Sequence, residues 1–186
     1  RKPVILHFPD GHASGTTVAY VTTTTAEGKA TYSDSGEVPA KGTRLMPTPM
    51  NVVQSVSADD GIGGTKATSY RYKDLRATSV GKGPAGFAEI EVTDESSGIT
   101  TTTSYAQAYP YTGMPTKVVR RDRHNVRIGE TETVYCDSPP APLFGRSCYP
   151  DGWLPITPGQ TGIFVYPWKV KDTSLLRNTE EETSEG

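Results

Sequence analysis

Residues 81–113 read GKGPAGFAEIEVTDESSGITTTTSYAQAYPYTG, and the first half of this stretch alternates with a period of two. Ala88, Ile90 and Val92 fall on one side of residues 87–93, while Phe87, Glu89 and Glu91 fall on the other. That spacing belongs to a strand with two unlike faces. Residues 100–105 form a threonine-rich run whose β-branched side chains favour a pleated surface over a helix. Between the two runs lie Asp94, Glu95, Ser96, Ser97 and Gly98, with glycine where a positive φ is easiest. The stretch therefore predicts a long β-hairpin, and the neighbouring sequence repeats the theme.

Residues 3–8 (PVILHF) read as a short strand closed by Pro9-Asp10-Gly11, and residues 16–25 (TTVAYVTTTT) as a second. Ala26-Glu27-Gly28 is expected to turn the chain so that residues 29–33 return as a partner strand. Residues 37–50, with Pro39, Pro47 and Pro49, read as an extended connector without an element of their own. Residues 51–57 and 65–72 should pair across the glycine-rich 59–64 loop, and residues 75–80 should connect that pair to the central hairpin. Residues 115–121 and 126–135 form a third hairpin. Residues 162–170 (GIFVYPWKV) form a final strand, placed at an edge by Pro167.

No stretch of ten or more residues carries a helical period. The fold class is mainly β: successive antiparallel hairpins forming a twisted open sheet or part of a β-shell. The sequence divides into an N-terminal hairpin region and connector (1–50), a hairpin core (51–135), a Cys/Pro-rich loop with the last strand (136–171) and an acidic flexible tail (172–186).

Composition limits the function. The hydrophobic fraction is 34% and mean hydropathy is −0.50, low for a compact globule. The 19 glycines and 15 prolines suit turns, or a segment that packs against more chain. A net charge of −2 gives no electrostatic reason to expect nucleic acid. No apolar run is long enough for a membrane helix. A chain opening on Arg1, with no leader pattern, is expected to be a segment of a longer product.

The motifs that suggest chemistry each lack a component. Gly81, Gly83 and Gly86 match a dinucleotide spacing, but a strand follows where the phosphates need a helix N-terminus. Asp59-Asp60-Gly61 opens like a calcium loop, then supplies no further oxygen ligands. His7 and His12 with Asp10 fall short of a metal set, and no cofactor is expected. Cys136 or Cys148 beside His124 would need an orienting acid and an activating position. Joined to each other, the two cysteines would instead close a proline-rich loop, as in an exported protein. Glu89/Glu91 and Glu130/Glu132 have the spacing of a solvated sheet face. Tyr105, Tyr109, Tyr111, Trp153, Tyr166 and Trp168 form either an aromatic contact surface or a cover for the ends of an open sheet. No enzyme is expected.

One longer pattern stands out in residues 51–121: Asp60-Gly61-Ile62-Gly63-Gly64, Tyr70-Arg71-Tyr72, Leu75-Arg76, Gly81-Lys82-Gly83, Gly86-Phe87, Val92-Thr93-Asp94, Gly98, Tyr105, Gln107 and residues 109–115 (YPYTGMP). In order and spacing these residues resemble the Rhs/YD-repeat shell region of bacterial toxin-complex B components and related virulence-plasmid B-type proteins. Residues 1–45 and 137–186 lie outside the resemblance, and no tandem Tyr-Asp repeat is present. The resemblance implies a non-catalytic wall segment of a hollow shell that encloses a toxin. It implies the rest of a larger chain or toxin-complex subunits as partners, and a secreted or cell-surface location. Open sheet edges add an expectation of homodimers. The competing reading from the residues is an extracellular β-sandwich that binds a glycan or protein through the aromatic patch.

Overall fold

The computed structural model describes residues 4–9, 15–36, 42–46, 48–79, 83–138 and 164–174. The described chain builds one eleven-stranded sheet. Its main path runs β1 (Val4–Pro9), β2 (Gly15–Thr22), β5 (Asn51–Asp59), β6 (Thr65–Thr78), β7 (Pro84–Asp94), β8 (Ile99–Tyr105), β9 (Pro115–Arg121), β10 (Arg127–Ser138) and β11 (Phe164–Ser174). Each neighbouring pair on this path is antiparallel. The three expected hairpins are present as β5/β6, β7/β8 and β9/β10, and β11 occupies an edge.

Five expectations are corrected. Residues 26–31 are a single helical segment, α1 (Ala26–Thr31), not a turn and returning strand. Thr25 ends the preceding run and caps α1: its Oγ1 accepts from the Gly28 N–H at 3.0 Å. Gly28 is required there, because a Cβ would lie 1.9 Å from the Thr22 carbonyl oxygen. The chain then adds β3 (Tyr32–Ser33), which pairs parallel with β6, with Tyr32 opposite Tyr72. Within the presumed connector, β4 (Thr43–Leu45) pairs antiparallel with the end of β6. Finally, residues 75–78 are not a connector: β6 continues unbroken to Thr78. At the far end, β11 extends to Ser174, into the stretch read as tail.

These additions give the sheet its core. Beyond the reach of β5, one side of β6 is taken by β3 and β4, with α1 beside them. Residues 74–78 are all buried there, whereas residues 65–73 are exposed or half-buried. Leu75 is 3% exposed, and burying such a side chain contributes about 1.5–3 kcal/mol. On the other side of β6, Arg76 faces Gly86 and Ala77 faces Pro84, so Ala85 is an extra residue in β7. This bulge turns the buried Ala85 into the core, and Gly86 takes φ +80° to make it.

Farther along, the sheet is a single layer with two distinct faces. Cross-strand register sets Lys73, Glu89, Ser104, Lys117, Glu132 and Lys171 in one row. The next row on that face is Arg71, Glu91, Thr102, Val119, Glu130 and Thr173. The opposite face carries Tyr72, Ile90, Thr103 and Val118, with Tyr70, Val92 and Thr101 beside them. The alternation of β7 thus continues across its neighbours, because directly opposed residues share a face.

Candidate functional site

The most organised group of polar side chains lies where β3, β6 and the 106–114 loop meet. Arg76 is 3% exposed, and its guanidinium donates to Asp34 Oδ2 at 3.0 Å and Asp74 Oδ1 at 3.3 Å. Asp74 Oδ1 also accepts from the backbone N–H and hydroxyl of Ser35, at 2.7 and 2.9 Å. Asp74 takes φ +54°, a conformation that aspartate tolerates better than bulkier residues. The Tyr32 hydroxyl accepts from the Leu75 N–H at 3.2 Å, and burial pushes its pKa up. The Gly36 N–H, and then Arg76, hold the Asp34 carboxyl below its usual range. Gln107 closes the group: its Nε2 donates to the carbonyls of Asp74 (2.7 Å) and Gly86 (2.8 Å), joining β6, the β7 bulge and the loop. Phe87 packs against Tyr72, with ring centroids 4.8 Å apart, and edge-on against Tyr32. Burial, and then Tyr70, push the Tyr72 hydroxyl up to about 12.

This arrangement locks β6 to its neighbours. The guanidinium donates to two carboxylates, and the amide of Gln107 satisfies two backbone carbonyls. Among the described residues no buried side-chain polar atom is left without a partner. A cleft of about 190 Å³ beside it is lined by Thr23, Tyr32, Leu45, Met46 and Leu75, among others.

The charged face forms a second polar group. Lys117 Nζ donates to Glu130 at 2.9 Å and to Glu132 at 3.0 Å, and Arg127 donates to Glu130 at 2.7 Å. Those bonds raise the Lys117 pKa, with Glu130 first, and lower that of Glu130, with Lys117 first. Glu91 stands 3.5 Å from Arg71. Of the carboxylates expected on a solvated sheet face, Glu91, Glu130 and Glu132 are therefore engaged in cross-strand ion pairs.

The other singled-out residues separate by position. Gly83 and Gly86 have φ of +90° and +80°, and a strand follows them, as the motif analysis required; Gly81 and Lys82 lie outside the described residues. Asp60 Oδ1 accepts the N–H groups of Ile62 and Gly64, closing its own loop and lowering its pKa. Among the described residues no cluster of His, Cys, Asp and Glu could hold a metal ion. His7 faces Thr17 in the β1/β2 register, His12 lies outside the described residues, and His124 accepts from Arg123 Nε at 3.3 Å. Cys136 is fully buried and disulfide-bonded, opposite Tyr166 in β11; Cys148 lies outside the described residues. Tyr105, Tyr109, Tyr111, Tyr166 and Trp168 all come to the end of the sheet where β8 stops and β11 begins. Tyr109 is 48% exposed and Trp168 45%; Trp153 lies outside the described residues. Sequence reasoning missed Tyr135, whose hydroxyl donates to the Pro115 carbonyl at 2.9 Å at this same end.

A family model described as the insecticide toxin TcdB middle/N-terminal region matches residues 4–114. The chain belongs to this family. No curated protein matches the chain, and no solved structure does. The TcdB match begins in β1 and ends in the loop before β9, so it includes the N-terminal residues that lay outside the resemblance. Its range holds all but Pro115 of the residues that carried the resemblance. Tyr72, Leu75, Arg76, Gly86, Phe87 and Gln107 are scattered over the sequence but meet in the lock. The chain is a part of a toxin-complex protein. Among the described residues no helix is long and apolar enough to cross a membrane.

Proposed function

We propose that this chain is a non-enzymatic wall segment of a secreted, Rhs-type toxin-complex protein, one stretch of a β-shell that encloses or presents a toxin. The observation that carries the proposal is the sheet itself: one layer, eleven strands, two faces of different chemistry and an edge strand at each end. A wall needs continuity more than a pocket, and backbone ladders supply it. Membership in the TcdB family supports the toxin-complex context. The disulfide at Cys136 supports an oxidising, extracytoplasmic location. The buried polar groups serve to hold the β6 junction rigid, since each is already satisfied.

In the longer protein the edges β1 and β11 would continue into neighbouring strands of the same wall. Released from it, the chain would pair edge to edge with a second copy. Electron microscopy of the full-length protein tests the reading. A closed β-wall with further strands hydrogen-bonded to β1 and β11 is the expected result. A freestanding domain with both edges solvated would overturn it.

A second reading rests on the aromatic end of the sheet. The half-exposed Tyr109 and Trp168 suit a glycan- or protein-binding module. A glycan array distinguishes the two: binding abolished by Trp168→Ala would favour the module.

A further inference from the structure

On the charged face, a cleft of about 420 Å³ opens between the β7/β8 loop and the β9/β10 loop. Its floor is hydroxylic: Thr93, Thr100 and Thr102 share this face, and Thr93 and Thr100 are in hydrogen-bond contact at 3.1 Å. Its walls carry three guanidinium groups, those of Arg71, Arg121 and Arg123. Arg121 lies opposite Thr100 in the β8/β9 register, so its side chain rises from the floor. Arg123 sits over Gly98, where a Cβ would come within 2.6 Å of its own Cβ. The glycine at the end of the β7/β8 loop therefore lets Arg123 close on the cleft.

The charge balance matters more than the number of arginines. Arg71 already has Glu91 beside it. The Arg121 guanidinium donates to the Asn125 carbonyl at 3.1 Å, and Arg123 donates to His124. Neither forms an ion pair among the described residues. Asp122 Oδ1 accepts from the N–H groups of His124 and Val126, at 2.8 and 2.9 Å, which holds the loop in its turn. Among the described lining residues, three cations against two carboxylates, Glu91 and Asp122, give an excess positive charge in a chain whose net charge is −2.

We propose that this cleft binds a phosphate or sulfate ester. Planar guanidinium forks suit tetrahedral oxyanions, and threonine hydroxyls can bond both the oxyanion and neighbouring hydroxyls. Among the described residues the cleft lining contains no aromatic side chain, so recognition rests on charge and hydrogen bonds, not on stacking. The volume exceeds that of one oxyanion and leaves room for the sugar or polyol that bears it. This site is separate from the aromatic end and does not depend on the wall reading.

The test is a nuclear magnetic resonance titration of the chain with inorganic phosphate, inorganic sulfate and a sulfated disaccharide. The expected result is saturable movement of the Gly98, Thr100, Arg121 and Asn125 amides. The disaccharide should bind tighter than either inorganic ion if an ester is the true ligand; equal affinities would assign the site to free oxyanions. The double substitution Arg121→Gln, Arg123→Gln should weaken binding about tenfold or more. Glu91→Gln, which removes a competing carboxylate, should tighten it. Non-saturating shifts, shifts spread over all lysines and arginines, or weaker binding by Glu91→Gln would overturn the proposal, and the wild-type map stands even if the double variant folds poorly.

Discussion

The two halves of β6 differ more from each other than β6 differs from any neighbour. Residues 65–73 lie in a single layer, with Tyr70 and Tyr72 on one face and Arg71 exposed on the other. Residues 74–78 run between β3, β4 and the β7 bulge and are buried throughout, including Asp74 and Arg76. Both halves carry a charged pair at nearly the same spacing. In the open half, Arg71–Glu91 is a solvated ion pair at 3.5 Å, with the Arg71 side chain 73% exposed. In the packed half, Arg76 is clasped by two carboxylates and excluded from water. The same chemistry is a surface detail in one half and a structural requirement in the other.

The largest expected effect breaks that requirement. Arg76→Ala leaves Asp74 buried without its cation and should destabilise the chain by about 3–5 kcal/mol, read from the midpoint of chemical denaturation. Gly28→Ala drives a methyl into the Thr22 carbonyl under the same packed half; a loss of at least about 2 kcal/mol is expected in the same assay. The Asp74 pair of variants separates backbone from charge. Asp74→Asn keeps an acceptor for Ser35 and tolerates the positive φ, so it should cost less than Asp74→Ala; equal costs would show that the hydrogen bonds to Ser35 contribute nothing.

Two further tests probe pH and the open half. In the folded chain the Tyr72 hydroxyl titrates at about 12, above the ordinary tyrosine value of about 10. Its contribution to stability is therefore full below about pH 10 and is lost as pH rises through about 12. An ultraviolet titration should find late-ionising tyrosine whose component near pH 12 is lost in Tyr72→Phe, while Tyr32, also raised by burial, still ionises late in that variant. Asp34, whose pKa is lowered, works the other way: its contribution is present above about pH 4 and fades as acid protonates it. The smallest effect is Arg71→Ala, expected below about 0.5 kcal/mol. A loss comparable to that of Arg76→Ala would erase the distinction between the halves.

The hairpins were legible because a single-layer sheet writes its two faces directly into the sequence: Ala88-Glu89-Ile90-Glu91-Val92 alternates apolar and acidic residues. Pro167 likewise marked β11 as an edge. The lock was not legible. Lys73-Asp74-Leu75-Arg76 looks like a polar connector, and its charges belong in a core only because Asp34 and Ser35 arrive from about forty residues earlier in the chain. Nor was α1 legible, since six residues are too few to display a helical period and the preceding threonines favour strand. The arginine cleft stayed hidden because its lining residues are spread over β6, β7, β8 and the β9/β10 loop.

The unlike edges carry a last consequence. β11 presents Pro167, Lys169, Lys171 and Asp172, residues that discourage pairing with a strand not matched to it, such as one from a second copy. β1 reads VILHFP, with neither lysine nor acid in it. Head-to-tail growth would require one copy's β1 to dock on the next copy's β11, and the second surface is guarded. Only β1 against β1 is left, a two-fold pairing that uses up both reactive edges at once. Self-association of the released chain is therefore expected to stop at a closed pair instead of growing into fibres, which the mass in solution would show.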